Sequence, residues 1–262
     1  MAKKKIGIYG NLESTANNKV EDLYIIVDNH SIHFAVKHLI SNSYIAFESF
    51  VSGNEINGFS QLLAYLQNNS KLIHAIYHSV HFVMNNSRVL ISKLQNIKDN
   101  TIYQNELNLV YGNIADHELL VTPLEDQKVL VSSIPDVYQT LLTRSFPTGK
   151  WTHYLNSFIK HAQKNGVYVY FFDAYYIVLI NNNDTVQFVR YFDESEDAHN
   201  VYNVLNACKH IQLDPNNSSL YLKGYHAEKH QWAVELGAYF NNANIEQAEM
   251  EGVDHYATYF IF

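Results

Sequence analysis

The sequence is short of several things. It has one cysteine, Cys208, so no intrachain disulfide can form. A single thiol fits a reducing compartment, and the expected location is the cytoplasm. There is no run of the roughly 20 apolar residues that a membrane-spanning helix needs. The start of the chain lacks a signal-peptide core: the apolar stretch Ile6 to Tyr9 is too short, and Asn11 to Asn18 is polar. Positive charge is scarce, with 18 Lys and Arg against 26 Asp and Glu and a net charge of −8. A backbone-directed nucleic-acid binder needs a basic surface, so nucleic acid is excluded as a partner. The one concentrated basic run, Lys3-Lys4-Lys5, reads as a solubilising, frayed tail. Also missing are a His-Glu-x-x-His helix, a Walker lysine loop, Gly-x-Ser-x-Gly and Gly-x-Gly-x-x-Gly.

What is present is a large apolar fraction, 47% of 262 residues, enough for one large domain or two packed lobes. After a polar lead-in over residues 1–22, three strand-like runs follow: Tyr24 to Val27 ending at Asp28, Ile32 to Val36, and Tyr44 to Val51. Phe59, Leu62, Leu63 and Leu66 mark an amphipathic helix, and Ile73 and Tyr77 could extend it. Val80 to Met84 and Val89 to Ile91 flank Asn85-Asn86 like a hairpin. Further strands are expected at Leu107 to Tyr111, Leu119 to Val121 and Val129 to Val131. Ser133 could cap one helix. Thr148 could cap another, carrying Trp151, Tyr154, Leu155, Phe158, Ile159 and Ala162 inward.

The opening order then returns. Val167 to Phe172 ends at Asp173, Tyr176 to Ile180 follows, then Val186 to Phe192, then a helix with Ala198, Val201, Tyr202, Leu205 and Cys208 on one face. Ile32 and Ile177 repeat the interval between Asp28 and Asp173, which points to an internal duplication. The 14 histidines do not form a metal pattern. His74, His78 and His81 would share a face only on a continuous helix, and a helix-to-strand change near Tyr77 separates them. Cys208 lies on an apolar stripe and reads as a buried small hydrophobe. The 20 Tyr and 14 Phe read as core and interface rather than as a nucleotide-stacking platform, because little Lys or Arg is interleaved.

A duplicated meander leading into helix-strand units resembles the actin, sugar-kinase and Hsp70 superfamily. Leu23 to Asp28, Ile134-Pro135-Asp136-Val137-Tyr138, Ser145-Phe146-Pro147, Arg190-Tyr191-Phe192-Asp193, Glu196-Asp197, Tyr202 and Leu220 to Gly224 resemble, more narrowly, a Bacteroidetes family of unknown function with an actin-like ATPase fold. The resemblance implies an α/β, actin-like (ribonuclease H-like) duplicated fold, with lobes over 23–149 and 150–262, each a strand meander plus helices. It also implies where a nucleotide would sit: Asp28 and Asp173 managing Mg²⁺, Ser31 donating to phosphate, Gly224 bordering the adenosine. The phosphate turns of that superfamily carry glycine two residues after the Asp. Here His30 and Tyr175 stand there, and Tyr225 replaces a second glycine after Gly224. Glycine lets backbone N–H groups approach phosphate without a side chain between. The expectation is therefore a noncatalytic protein with no cofactor that binds an unidentified protein, with self-association allowed for as in actin relatives. The alternative is a divergent Mg-ATP binder or slow ATPase.

Overall fold

The computed structural model describes residues 2–10, 20–28, 31–52, 58–94, 100–113, 115–124, 127–162, 164–172, 174–183, 185–224 and 231–245. The chain divides into two compact units, Met1–Asn156 and Ser157–Phe262.

The first unit is built on a six-stranded sheet. Its strands are β1 (Lys3–Tyr9), β2 (Glu21–Asp28), β3 (Ser31–His38), β4 (Ser43–Val51), β5 (Ser79–Asn85) and β9 (Lys150–His153), in the order β1-β4-β3-β2-β5-β9. β2, β3 and β4 form an antiparallel meander, while β5 and β9 add in parallel beyond β2. Alternation along β2 and β3 sends Leu23, Ile25, Val27, Ile32, Phe34 and Val36 to one face. There they meet Leu62 and Leu66 of α1 (Gly58–Asn69) and Tyr138 and Leu142 of α3 (Asp136–Ser145). A smaller sheet, β6 (Val89–Lys93), β8 (Lys128–Pro135) and β7 (His117–Pro123), packs Val129 and Val131 against Tyr103 and Leu107 of α2 (Thr101–Tyr111).

The second unit starts within α4 (Tyr154–His161). It holds β10 (Gly166–Phe171), β11 (Tyr175–Asn182), β12 (Thr185–Asp193), α5 (Asp197–His210), β13 (Ser219–Gly224), α6 (Gln231–Gly237) and β14 (Asn242–Ile245). The sheet order is β12-β11-β10-β13-β14. Its pairings are antiparallel, antiparallel, parallel, parallel, the same series as β4-β3-β2-β5-β9. The duplication is thus a repeated sheet topology. Val169, Phe171, Tyr176, Val178 and Leu222 face Val204, Ala207, Trp232 and Leu236 from α5 and α6.

Several local expectations change. Lys3–Tyr9 is a strand paired along β4, not a frayed tail. Val89–Lys93 does not form a hairpin with β5 but joins the smaller sheet. Leu107 to Tyr111 is the end of α2. Trp151 lies on β9, so α4 starts only at Tyr154, and Ser133 lies within β8. α1 stops at Asn69, leaving Ile73 and Tyr77 beyond it. The buried stripe of α5 is Val201, Val204, Ala207 and Cys208, with Ala198 and Tyr202 outside it. The duplication is also one residue out of step with the two aspartates. The ladder pair that closes before the first turn is Val27 with Ile32, and in the second unit it is Phe171 with Tyr176. Asp28 therefore corresponds to Phe172, and Ser31 to Tyr175.

Candidate functional site

In open α/β sheets, ligands bind beyond the carboxyl ends of parallel strands. In the first unit those ends are Asp28 of β2, Asn85 of β5 and His153 of β9. Asp28 and Asn85 face each other across the β2–β5 ladder. The phenol of Tyr138, on α3, is pushed up to about 12 by burial and by the negative charge of Asp28, which puts the two groups in each other's field. Ser31, at the head of β3, has its hydroxyl 2.9 Å from Nε2 of His33. The His33 ring is buried and stacks on Phe47 at 6.0 Å.

His153 was not singled out from the sequence. It is completely buried, and burial drives its pKa down to about 3. Its Nε2 lies 3.2 Å from the Asn86 carbonyl and its Nδ1 accepts from the Leu155 N–H at 3.2 Å. The ring is thus a neutral clamp that starts α4 and cannot shuttle protons near neutral pH. Nothing in the four residues Lys150–His153 signals this, because the imidazole's partners lie on other segments.

In the second unit the corresponding ends are Phe171 of β10 and Gly224 of β13, which are ladder partners. Gly224 has φ of 97°, and a Cβ there would sit 2.5 Å from the Phe171 carbonyl oxygen. Its glycine is required by the close approach of two strands. The turn between β10 and β11 is closed by the Phe172 N–H donating to the Tyr175 carbonyl at 3.0 Å. The Glu194 N–H donates to the Ala174 carbonyl at 3.0 Å. The Tyr175 ring stacks on Phe172 at 4.7 Å with planes 9° apart, and leans on Tyr191 at 5.9 Å. Asp173 lies outside the described residues, as do Asn29, His30, Tyr225, His226 and His230.

The sequence also hid a buried ion pair. Glu48, on β4, is 0% exposed and accepts from Lys4 Nζ at 2.6 Å, from the Lys71 N–H at 3.0 Å, and from the Tyr9 and Ser70 hydroxyls. Burial alone would raise its pKa, but the hydrogen bonds from Lys4, Ser70 and Tyr9 hold it below its ordinary value. An acid inside Ala46-Phe47-Glu48-Ser49-Phe50 is a visible signal for a buried partner. The partner, far away in a lysine run, is not.

Among the described residues no group of three or more His, Cys, Asp or Glu could hold a metal ion. His74 bonds the Gln67 carbonyl, while His78 lies 3.0 Å and His81 3.7 Å from Asp22. No helix of the described residues is long and apolar enough to cross a membrane.

Solved structures share the architecture. A Bacteroides thetaiotaomicron protein with an actin-like ATPase fold and unknown function superposes with a TM-score of 0.76 at 13% identity, over 87% of this chain and 91% of that one. A chain of the PilM-PilN type IV pilus biogenesis complex matches with a TM-score of 0.50 at 13% identity, over 91% and 94%. The cytoplasmic domain of EpsL, an inner membrane component of the Vibrio cholerae type II secretion system, matches with a TM-score of 0.47 at 10% identity, over 88% and 84%. No curated protein matches the sequence. The profile of a family described as a protein of unknown function, DUF3822, covers residues 11–243, and the chain, with its actin-like duplicated fold, belongs to that family.

Proposed function

We propose that this protein is a noncatalytic member of the actin-like fold and acts by binding another protein in the cytoplasm. The observation that carries the reading is Tyr175. It follows Asp173 by two residues, the spacing at which the superfamily turn carries glycine, although in the sheet register it matches Ser31, and its ring is held on Phe172. A phosphate cradle needs bare backbone N–H groups converging on one point. Here the Phe172 N–H is spent on the Tyr175 carbonyl. The described residues of this turn thus do not fit a nucleotide phosphate. Gly224 is accounted for by the strand pair, and the Ser31 hydroxyl by His33. His153 offers no acid or base. Phosphoryl transfer depends on positioning and charge neutralisation together, and neither is supplied by these groups. Cys208 is buried and its thiol is pushed up to about 12, which removes it as a nucleophile and fits a reducing compartment. A pilus-biogenesis protein of similar fold, solved in complex with a partner, is the analogy for a protein-binding role, and it is analogy only.

Asp28, facing Asn85 at a parallel-strand end, favours the second reading, a divergent Mg-ATP site. Thermal unfolding with and without millimolar Mg-ATP separates the two. Ligand at about 100 times its dissociation constant stabilises a protein by about 2.7 kcal/mol. The expected result is an unchanged midpoint in wild type and in Asp28→Ala. A rise in wild type that disappears in Asp28→Ala overturns the noncatalytic reading.

A further inference from the structure

The two repeated sheets differ at one edge. In the first unit β1 runs antiparallel along β4 and closes that edge. In the second unit the equivalent strand, β12, is terminal in its sheet among the described residues. An open edge with apolar residues is a template for an added strand unless it is blunted by charge, proline, a bulge or a short length. β12 is nine residues long, TVQFVRYFD, with neither lysine nor proline; its protection is limited to the charges Arg190 and Asp193 and to one register shift against β11 between Val186 and Phe188.

Register makes the comparison residue by residue. Glu48 pairs with Phe34 and Phe50 with Ile32. Arg190 pairs with Val178 and Phe192 with Tyr176. Since Ile32 corresponds to Tyr176 and Phe34 to Val178, Arg190 occupies the place of Glu48, and Phe192 that of Phe50. In the first unit Lys4 of β1 pairs with Glu48 while its ammonium lies 5.3 Å from the centre of the Phe50 ring. In the second unit the Arg190 guanidinium lies 5.3 Å from the centre of the Phe192 ring. It is exposed, and it makes no ion pair with a described residue. The charge at this place is reversed, and among the described residues no strand covers it.

Beside it lies a cavity of about 600 Å³ between β12 and α5. Phe188, Arg190 and Phe192 line it from the strand, and Asn203, Asn206 and His210 from the helix. The helix flank turned to this edge is polar, so α5 does not close over the two phenylalanines, which stay partly exposed. In the first unit the Lys4 and Tyr9 side chains of β1 reach Glu48 beside Ser70 and Lys71, which follow α1.

We propose that the open edge of β12 receives an extended, acid-bearing segment of a partner protein as an added antiparallel strand, with a carboxylate paired to Arg190. The occupant is committed by charge. Strand addition draws affinity from main-chain hydrogen bonds and selectivity from side-chain pockets. Arg190 offers a planar fork suited to a carboxylate. A second copy's β1 would bring Lys4 against Arg190, which disfavours that strand as the occupant. The proposal rests on the protein-binding reading and gives that reading a surface.

The chain supplies its own probe. A peptide of residues 2–10 with Lys4→Glu carries the β1 pattern with the charge that Arg190 calls for. This peptide and its unmodified form are titrated into the isotope-labelled full chain, following backbone amide shifts and exchange in β12. The Lys4→Glu peptide should protect β12 and bind about tenfold more tightly than the lysine form. In Arg190→Glu that preference should invert, with the melting midpoint unchanged because the side chain is exposed. Equal affinities, no inversion, shifts confined to other elements, or no binding of either peptide at millimolar concentration overturn the proposal. So does a dimer that Arg190→Glu abolishes, which would assign the edge to a second copy. Any of these failures in a chain that ignores nucleotide leaves the protein-binding reading in place. A nucleotide-dependent rise lost in Asp28→Ala removes that reading instead.

Discussion

Gly224 and Lys4 each show how one residue is tied to a distant one. At Gly224 the backbone is in a conformation that L side chains avoid, and an added Cβ meets the Phe171 carbonyl oxygen rather than a side chain that could move. Gly224→Ala should therefore destabilise by about 2 kcal/mol or more, read as a lower denaturation midpoint with an unchanged slope. Its effect on any nucleotide response is irrelevant to that loss, so the variant separates a structural glycine from a ligand-facing one. Lys4 is the ionic partner of a carboxylate with no exposure to water. Removing one partner of such a pair leaves an uncompensated buried charge, so Lys4→Met should cost about 3 kcal/mol. The double variant Lys4→Met, Glu48→Gln should recover part of that cost, and a double-mutant cycle measures the coupling.

At the scale of elements, the strands that could be read from the sequence are those with long apolar runs. β2, β3, β4, β10, β11 and β12 all fall where the runs predict them; the first five bury much of their length, while β12 has no fully buried residue and is announced by its apolar run alone. β9 and β14 are four residues each, and β1 carries three lysines, so none has an apolar run to announce it. Their pairing partners decide their structure. The end of α2, Leu107 to Tyr111, reads as a strand because Leu109 and Val110 point outward and imitate a short apolar run, while only Tyr103 and Leu107 of the helix are buried. At α5 the expected stripe was turned toward Ala198 and Tyr202. The real one passes through Val204 and Ala207, which join the cluster of Val169, Phe171, Tyr176 and Val178 from β10 and β11. The same rotation leaves Asn203, Asn206 and His210 facing β12. The site residues were legible only as positions along the chain: Asp28, Ser31 and Gly224 stand at strand ends as expected, but their bonding partners come from registers that no local pattern encodes.

For the molecule as a whole, the duplicated sheets are alike in order and unlike in electrostatics. Among the described residues, the two carboxyl groups held below their ordinary values, Glu48 and Asp22, both belong to the first unit. Burial opposes each of them, and the hydrogen bonds of Lys4, Ser70 and Tyr9 in one case, and of Ser79 and His78 in the other, outweigh it. A carboxyl with a depressed folded pKa contributes stability above its unfolded value and loses it as pH falls through the folded one. Acid should therefore remove the contribution of these two carboxylates to the first unit as pH drops below the ordinary Glu value of 4.5, while Glu21, raised by burial, works in the opposite sense. The chain has two tryptophans, Trp151 in the first unit and Trp232 in the second. Fluorescence of Trp232→Phe and of Trp151→Phe then reports each unit separately. The Trp151 signal should change at the higher pH, and coincident transitions would show that the units respond as one.

Cys208 has a use that does not depend on what the protein binds. Its sulfur is sealed against the second-unit sheet with 0% exposure, and its thiolate is suppressed by burial. A thiol reagent can reach it only when α5 lifts from the strands beneath. Each alkylated molecule is thus the record of one opening event. A time course of labelling on the untouched chain becomes a stopwatch for the second unit, readable by intact mass and needing no engineered reporter.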